Sequence, residues 1–275
     1  MMLEILSIPF MRQAIFASSI LTFMLAYLGI HVVKRRIVFV DLAIAQLSAV
    51  GVAFAMLFDF NPLVFSLVFT LVGAGLLSIP EYEKRIPQEA IMGIIYAVAS
   101  AIAVLLIANI PHGEADILNL FFGNILGVTT QQLFVLLVVF GFVTFIHILF
   151  SKKFIQITET STVDPSNKSH KRFWNLIFYL TLALVIAVAI RTAGVLLVFS
   201  TLVIPAVTAL LFFQRFSHLV LTALGIGLIA TWTGFISSFQ FDLPTGPTIV
   251  TALGGWLFFA SLVKTSIKFF KKKKP

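Results

Sequence analysis

Stretches of about twenty apolar residues follow one another almost without pause along this chain, and that succession constrains its fold more than any other feature. About 20 apolar residues in a helix is the length that crosses the hydrocarbon of a bilayer. Nine segments meet the pattern, at 13–33, 40–58, 62–79, 90–110, 131–150, 173–190, 194–213, 218–239 and 246–263. Of the 275 residues, 60% are hydrophobic and 11% charged, and mean hydropathy is +1.07. A soluble domain carries about 25% charged residues, and a chain of this size has no interior able to hide so much apolar surface. The expectation is an all-α, polytopic transmembrane helical bundle of eight to nine spans, forming a single membrane domain over residues 1–275. A soluble enzyme, a disordered scaffold and a secreted module are excluded.

Two places make the count uncertain by one. Segment 40–58 contains Asp41 and Gln46, and little more than Arg191 and Thr192 separates 173–190 from 194–213. That pair reads as a hairpin of two spans or as one span plus a broken helix. The first segment is too long for the core of a cleaved signal peptide, and Glu4 as well as Arg12 precedes it.

The loop charges give an orientation. Lys34-Arg35-Arg36, Lys84 and Arg85, the basic loop from Lys152 to Arg172, Arg215 and the tail Lys271 to Lys274 fall in alternate loops. Asp59, Glu114 with Asp116, and Asp242 fall in the others. Placing the first set in the cytoplasm puts 17 of the 19 lysines and arginines inside, all but Arg12 and Arg191. This asymmetry implies a cell-membrane, multi-pass protein with its N-terminus outside and its C-terminus inside. The same clustering explains the net charge of +8 without nucleic acid as a partner. With no cysteine in the chain, disulfides, thiolate metal sites and cysteine nucleophiles are absent.

Polar residues inside apolar segments are the candidates for function, because burying them in a bilayer is costly. Asp41 opens a run Asp41, Ala45, Ala49, Ala53 at four-residue spacing, a small helix face headed by a carboxylate. Gln46 and Ser48 lie farther along the same segment. Asp41 reads either as a cap or ion-pair partner of Arg35 or Arg36, or as part of a translocation pathway. Gln46 reads as a helix–helix hydrogen-bond partner or as a pathway ligand. Glu89, two residues after Pro87, suits the first turn of a helix or the mouth of a pore. Pro111 to Asp116 brings His112, Glu114 and Asp116 together, either as divalent-cation ligands or as an exposed docking edge. The other histidines, His31, His147, His170 and His218, match no metal-ligand spacing. Pro205, inside 194–213, is expected to kink or break its helix. No phosphate loop, His-Glu-x-x-His or Gly-x-Ser-x-Gly pattern occurs, so the chain reads as no enzyme, and any ATPase that powers it is a separate chain.

As a set these features resemble the ABC-3 family of metal ABC transporter permeases. The resemblance is carried by Arg35-Arg36-Ile37-Val38-Phe39 running into the small-residue helix to Gly51-Val52-Ala53, by Glu89 to Ile94, by Leu120 to Leu126, by Gly194 to Ala206 and by Asp242 to Pro247. It implies the permease subunit of an ATP-driven importer of zinc, manganese or iron, with the divalent metal as substrate and no cofactor bound by the chain itself. It further implies a pair of permeases, usually a homodimer, a cytoplasmic ATP-binding subunit that uses the ATP, and an extracytoplasmic metal-binding protein. By the same analogy, the stretch after Pro205 that includes Gln214 and Arg215 looks like the coupling helix that docks on the ATPase. One departure stands out. Zinc and manganese members commonly read Gly-Asp-Ala-Leu-Ala-His-Ser where this chain has Asp41-Leu42-Ala43-Ile44-Ala45-Gln46-Leu47. The family Asp position holds Leu42, its His position holds Gln46, and the carboxylate comes one residue early at Asp41. One residue turns a helical side chain by about 100°, so a metal contact at Asp41 is not simply inherited. Two other classes remain open: an ion-coupled secondary carrier of a cation or small polar solute, using Asp41 and Glu89, and a structural or assembly protein of the membrane.

Overall fold

In hydrocarbon no water is available to the backbone, so each apolar segment must satisfy its own N–H and C=O groups, and a helix does this within one segment. A computed structural model describes residues 8–79, 86–108, 123–159 and 168–272. Its helices are α1 (Pro9–Lys34), α2 (Val40–Leu57), α3 (Pro62–Leu77), α4 (Gln88–Ile107), α5 (Thr130–Leu149), α6 (Ser151–Glu159), α7 (Lys168–Ala193), α8 (Val195–Phe212), α9 (Phe216–Phe241) and α10 (Thr245–Lys272). A single 3-10 turn, Ile125–Gly127, precedes α5.

Every apolar segment is a helix, and among the described residues eight helices are long and apolar enough to cross a membrane. The one that falls short is α3, with 16 residues. At about 1.5 Å per residue it spans about 24 Å, less than a hydrocarbon core of about 30 Å. The shortfall was expected elsewhere, in segment 40–58, which is the spanning-length helix α2, or in the pair around Arg191. That pair is two helices, because Gly194 at φ +80° turns the chain between them. Pro205 does not break its helix either, since α8 runs through it from Val195 to Phe212. The basic loop from Lys152 to Arg172 is also shorter than expected. Residues 151–159 form the amphipathic helix α6, and α7 begins at Lys168. Phe154 and Thr158 supply the buried side of α6, and the Phe154 ring stacks on His147 at 4.0 Å.

The chain divides into two compact units. The first comprises α1 to Val33, residues 124–133, and the chain from Leu196 onward, which takes in nearly all of α8 with α9 and α10. Its helices approach closely: a Cβ on Gly29 of α1 would overlap the carbonyl of Leu202 on α8. Ala26, Ile30, Ala206, Ala209, Leu219 and Ala223 form a buried cluster there. Along α1 and α9, Thr22 and Thr231 share a hydrogen bond of 2.9 Å, and the Trp232 indole donates to Ser19. Small residues and hydroxyls of this kind hold helices together where lipid supplies no hydrophobic drive.

The second unit comprises residues 34–123 and 134–195. Here α2 packs against α3, α4 and α7. A Cβ on Gly51 of α2 would come within 2.6 Å of the Phe65 carbonyl oxygen on α3. Ala49 and Val50 of α2 cluster with Ala99 and Ala103 of α4.

Candidate functional site

The start of α2 is set by the sequence before it. Arg36 takes φ +58°, the chain turns through a bond from the Val40 N–H to the Ile37 carbonyl, and Phe39 becomes the N-cap without a side-chain bond. Asp41 therefore lands in the first helical turn, where free N–H groups and the helix dipole favour a carboxylate. It lies against the backbone N–H of Leu42, as a first-turn acid does. Yet the side chain is only 2% exposed, and its Oδ1 has no hydrogen-bond partner. The arginines expected to pair with it are engaged elsewhere or exposed. Arg35 donates to the Asn175 side chain and lies over the Phe178 ring at 4.6 Å, while Arg36 is exposed.

Gln46 is 3% exposed and its Nε2 also lacks a partner. Ser48 differs, since it shares a 2.8 Å hydrogen bond with Ser66 of α3. Glu89 sits half-buried in the first turn of α4, a helix that packs on α2. Two further residues join this set that the sequence reading passed over. Thr70 on α3, fully buried, and Ser100 on α4 each carry a buried hydroxyl with no partner. Thr70 lies four residues after Ser66 and so on the same face of α3. A stripe of Ser66, Thr70 and Gly73 in an otherwise apolar helix was the available signal. Helix α2 and the two helices packed against it, α3 and α4, thus carry a carboxylate oxygen, an amide nitrogen and two hydroxyls without a protein partner. Buried polar atoms are rarely left this way, and each one needs an explanation such as water, an ion or a function.

Among the described residues no three His, Cys, Asp or Glu side chains come together as a ready metal cage. His112, Glu114 and Asp116 lie outside the described residues. So do Lys84 and Arg85 of the orientation argument, and Leu120 to Phe122 of the family resemblance. Asp41, Gln46 and Ser48 share α2, but Pro205, Gln214 and Arg215 belong to the first unit. Pro205 is buried inside α8. Gln214 and Arg215 are exposed in the three-residue link 213–215, with Arg215 as N-cap of α9, and no separate helix forms there. Just beyond, Phe216 packs edge-on to Tyr27 at 6.5 Å and against His31 at 5.0 Å.

Comparison with known proteins agrees with this architecture. The model of the family described as "ABC 3 transport family" matches residues 7–264. A "Probable metal transport system membrane protein" of Chlamydia trachomatis is 27% identical over 248 residues, covering 87% of this chain and 84% of its own. The manganese transport system membrane protein MntC of Listeria innocua is 24% identical over 266 residues, covering 96% and 95%. Among solved structures, PsaBC from Streptococcus pneumoniae in complex with a Fab superposes with a TM-score of 0.78 at 20% identity, over 94% of this chain and 95% of that one. With nearly its whole length matched, the chain belongs to the ABC 3 transport family and is a multi-pass membrane permease.

Proposed function

We infer that this permease forms the translocation pathway of an ATP-driven importer of divalent metal ions, and that manganese is its preferred cargo. The metal transport names of its relatives support the substrate class. The observation that carries the reading is the buried, part-unsatisfied carboxylate of Asp41 on the same helix as Gln46. In the pathway, Asp41 would replace part of the ion's water shell, and Gln46 would offer an amide oxygen by rotating its side chain. Both are oxygen donors, which suit manganese better than zinc, whose sites more often use imidazole or thiolate. Ser48 serves the α2–α3 contact, and Glu89 attracts cations at the entrance to α4. ATP is bound and split by a separate cytoplasmic subunit docked at the link that carries Gln214 and Arg215. Pro205 shapes the helix that leads to it. A second permease copy and an extracytoplasmic metal-binding protein complete the transporter.

The test is uptake of radioactive manganese and zinc into vesicles that hold the permease with its ATP-binding subunit. ATP-dependent manganese uptake that exceeds zinc uptake, and that falls in Asp41→Asn, is the expected result. Faster zinc uptake would overturn the choice of cargo. Uptake that does not need the ATP-binding subunit would overturn the transporter class.

A further inference from the structure

The turn that joins α2 to α3, residues 58–61, is more firmly built than a short connection requires. Asp59 takes φ +56°, and the Phe60 N–H donates back to the Ala55 carbonyl at 2.8 Å. This is a Schellman closure of α2, with an acid where glycine is usual. Asn61 then caps α3, its side chain accepting from the N–H groups of Leu63 and Val64, and Pro62 is the first helical residue. The Phe60 ring stacks on Phe65 at 4.9 Å and 4°, a hydrophobic staple across the start of α3. Phe54 meets Phe58 at 4.6 Å and Phe65 at 5.7 Å, which joins the rings into one stack. Arg191, near the end of α7, donates to the Pro62 carbonyl at 3.4 Å and holds the turn from the side.

This frame displays a carboxylate between two rings. Phe58 and Phe60 are 53% and 51% exposed, and Asp59 is exposed between them. The loop charges put the turn on the outer side of the membrane, at the far end of α2 from Asp41. Lipid headgroups suit it poorly, because their phosphates repel Asp59 and because the interfacial belt is built from Trp and Tyr, of which the turn has neither. A second permease would bring outer loops that carry the same acids, Asp59, Glu114, Asp116 and Asp242. A soluble protein that offers a basic residue beside an apolar pocket matches both the charge and the rings, and exposed aromatic surface with a polar rim is the ordinary composition of such a contact.

We propose that Phe58, Asp59 and Phe60 form the docking surface for the extracytoplasmic metal-binding protein, a role that rests on the importer reading above. The rings seat in an apolar pocket of that protein, and Asp59 meets a lysine or arginine at its edge. Because the rings are stacked before the partner arrives, little side-chain freedom is lost on docking. Docking here sets the partner at the outer end of the helix that carries Asp41 and Gln46.

The test measures binding of the purified, manganese-loaded extracytoplasmic protein to the permease and its ATP-binding subunit in nanodiscs. The wild-type complex should bind it, with an association rate that falls as salt rises. Asp59→Asn removes the charge and keeps a residue that accepts positive φ. It should slow association by about threefold and flatten the salt dependence, the signature of a rim charge. Phe58→Ala should weaken binding by about tenfold, chiefly through faster dissociation. In both variants ATP hydrolysis without the extracytoplasmic protein should match wild type. Wild-type binding rates in either variant overturn the docking surface while the importer reading stands. A wild-type complex that fails to bind the protein overturns the partner itself, and the docking surface with it. If Phe58→Ala halves the mass of the detergent-solubilised permease and leaves binding unchanged, the turn joins two permeases and the proposal falls.

Discussion

The α1–α9 contact of the first unit and the α2–α3–α4 packing of the second are made from the same materials, and they differ in what becomes of the polar atoms. Thr22 and Thr231 bond to each other, Trp232 donates to Ser19, and Ser18 and Thr22 also return their hydroxyls to carbonyls one turn back. In the second unit Ser48 and Ser66 form one such bond, while Asp41, Gln46, Thr70 and Ser100 are left with open valences. A satisfied polar contact between membrane helices is adhesive. An unsatisfied one is a standing cost that a purely structural helix pair would have replaced with a methyl group. The contrast marks the first interface as adhesive and supports the proposal that the second meets water or the transported ion.

Both units also contain a close backbone approach, α1 to α8 in the first and α2 to α3 in the second, and breaking that should have the largest effect. Gly29→Val and Gly51→Val each place side-chain atoms against a neighbouring carbonyl. Overpacking of this kind costs about 1–3 kcal/mol or more when backbone must shift. Both variants should give little monodisperse permease in size-exclusion chromatography. A well-behaved Gly51→Val would mean that α2 and α3 can separate. Next comes Asp41→Asn, which keeps shape and hydrogen-bonding capacity but removes the charge. Uptake should fall by about tenfold, equal to about 1.4 kcal/mol, with normal membrane levels on a blot. Wild-type uptake would return Asp41 to a capping role. Arg215→Glu should act more weakly, by reversing charge on the exposed link of the first unit. ATP hydrolysis by the assembled transporter should lose its stimulation by cargo by about threefold, as expected for a rim charge between docked chains. Unchanged stimulation would remove Arg215 from the coupling surface.

Much of this architecture was legible before any coordinates, and the part that was not has a physical reason. Runs of about twenty apolar residues can only be helices in lipid, so each segment was placed, as were Asp41 and Gln46 as costly intrusions. The ends were less legible. The turn at Gly194 depends on a backbone angle that a glycine permits without demanding, and α6 hides its two buried residues, Phe154 and Thr158, among lysines and polar neighbours. Thr70 and Ser100 escaped for a different reason. Serine and threonine are ordinary in membrane helices because they can bond the carbonyl one turn back, as Thr208 does to Ile204. Whether such a hydroxyl is paired depends on the facing helix, and no pattern within one segment records its neighbour.

That dependence makes the hydroxyls the finest test of the contrast, because the same substitution should act differently in the two places. Thr22→Val removes a bond to Thr231 and strands a hydroxyl that is only 2% exposed. The loss should be about 0.6 kcal/mol, the average for polar contacts between membrane helices, seen as a lower thermal midpoint in detergent. Thr70→Val removes no protein partner and takes away an unsatisfied buried oxygen. Its midpoint should hold or rise, by up to about 1 kcal/mol, while uptake drops as the α2–α3–α4 region loses a polar contact for water or ion. If Thr70→Val is destabilised as much as Thr22→Val, then Thr70 has a partner and the polar character of α3 is adhesive. If instead its stability rises and its uptake is unchanged, Thr70 lies outside the pathway, and the assignment contracts to Asp41 and Gln46 on α2.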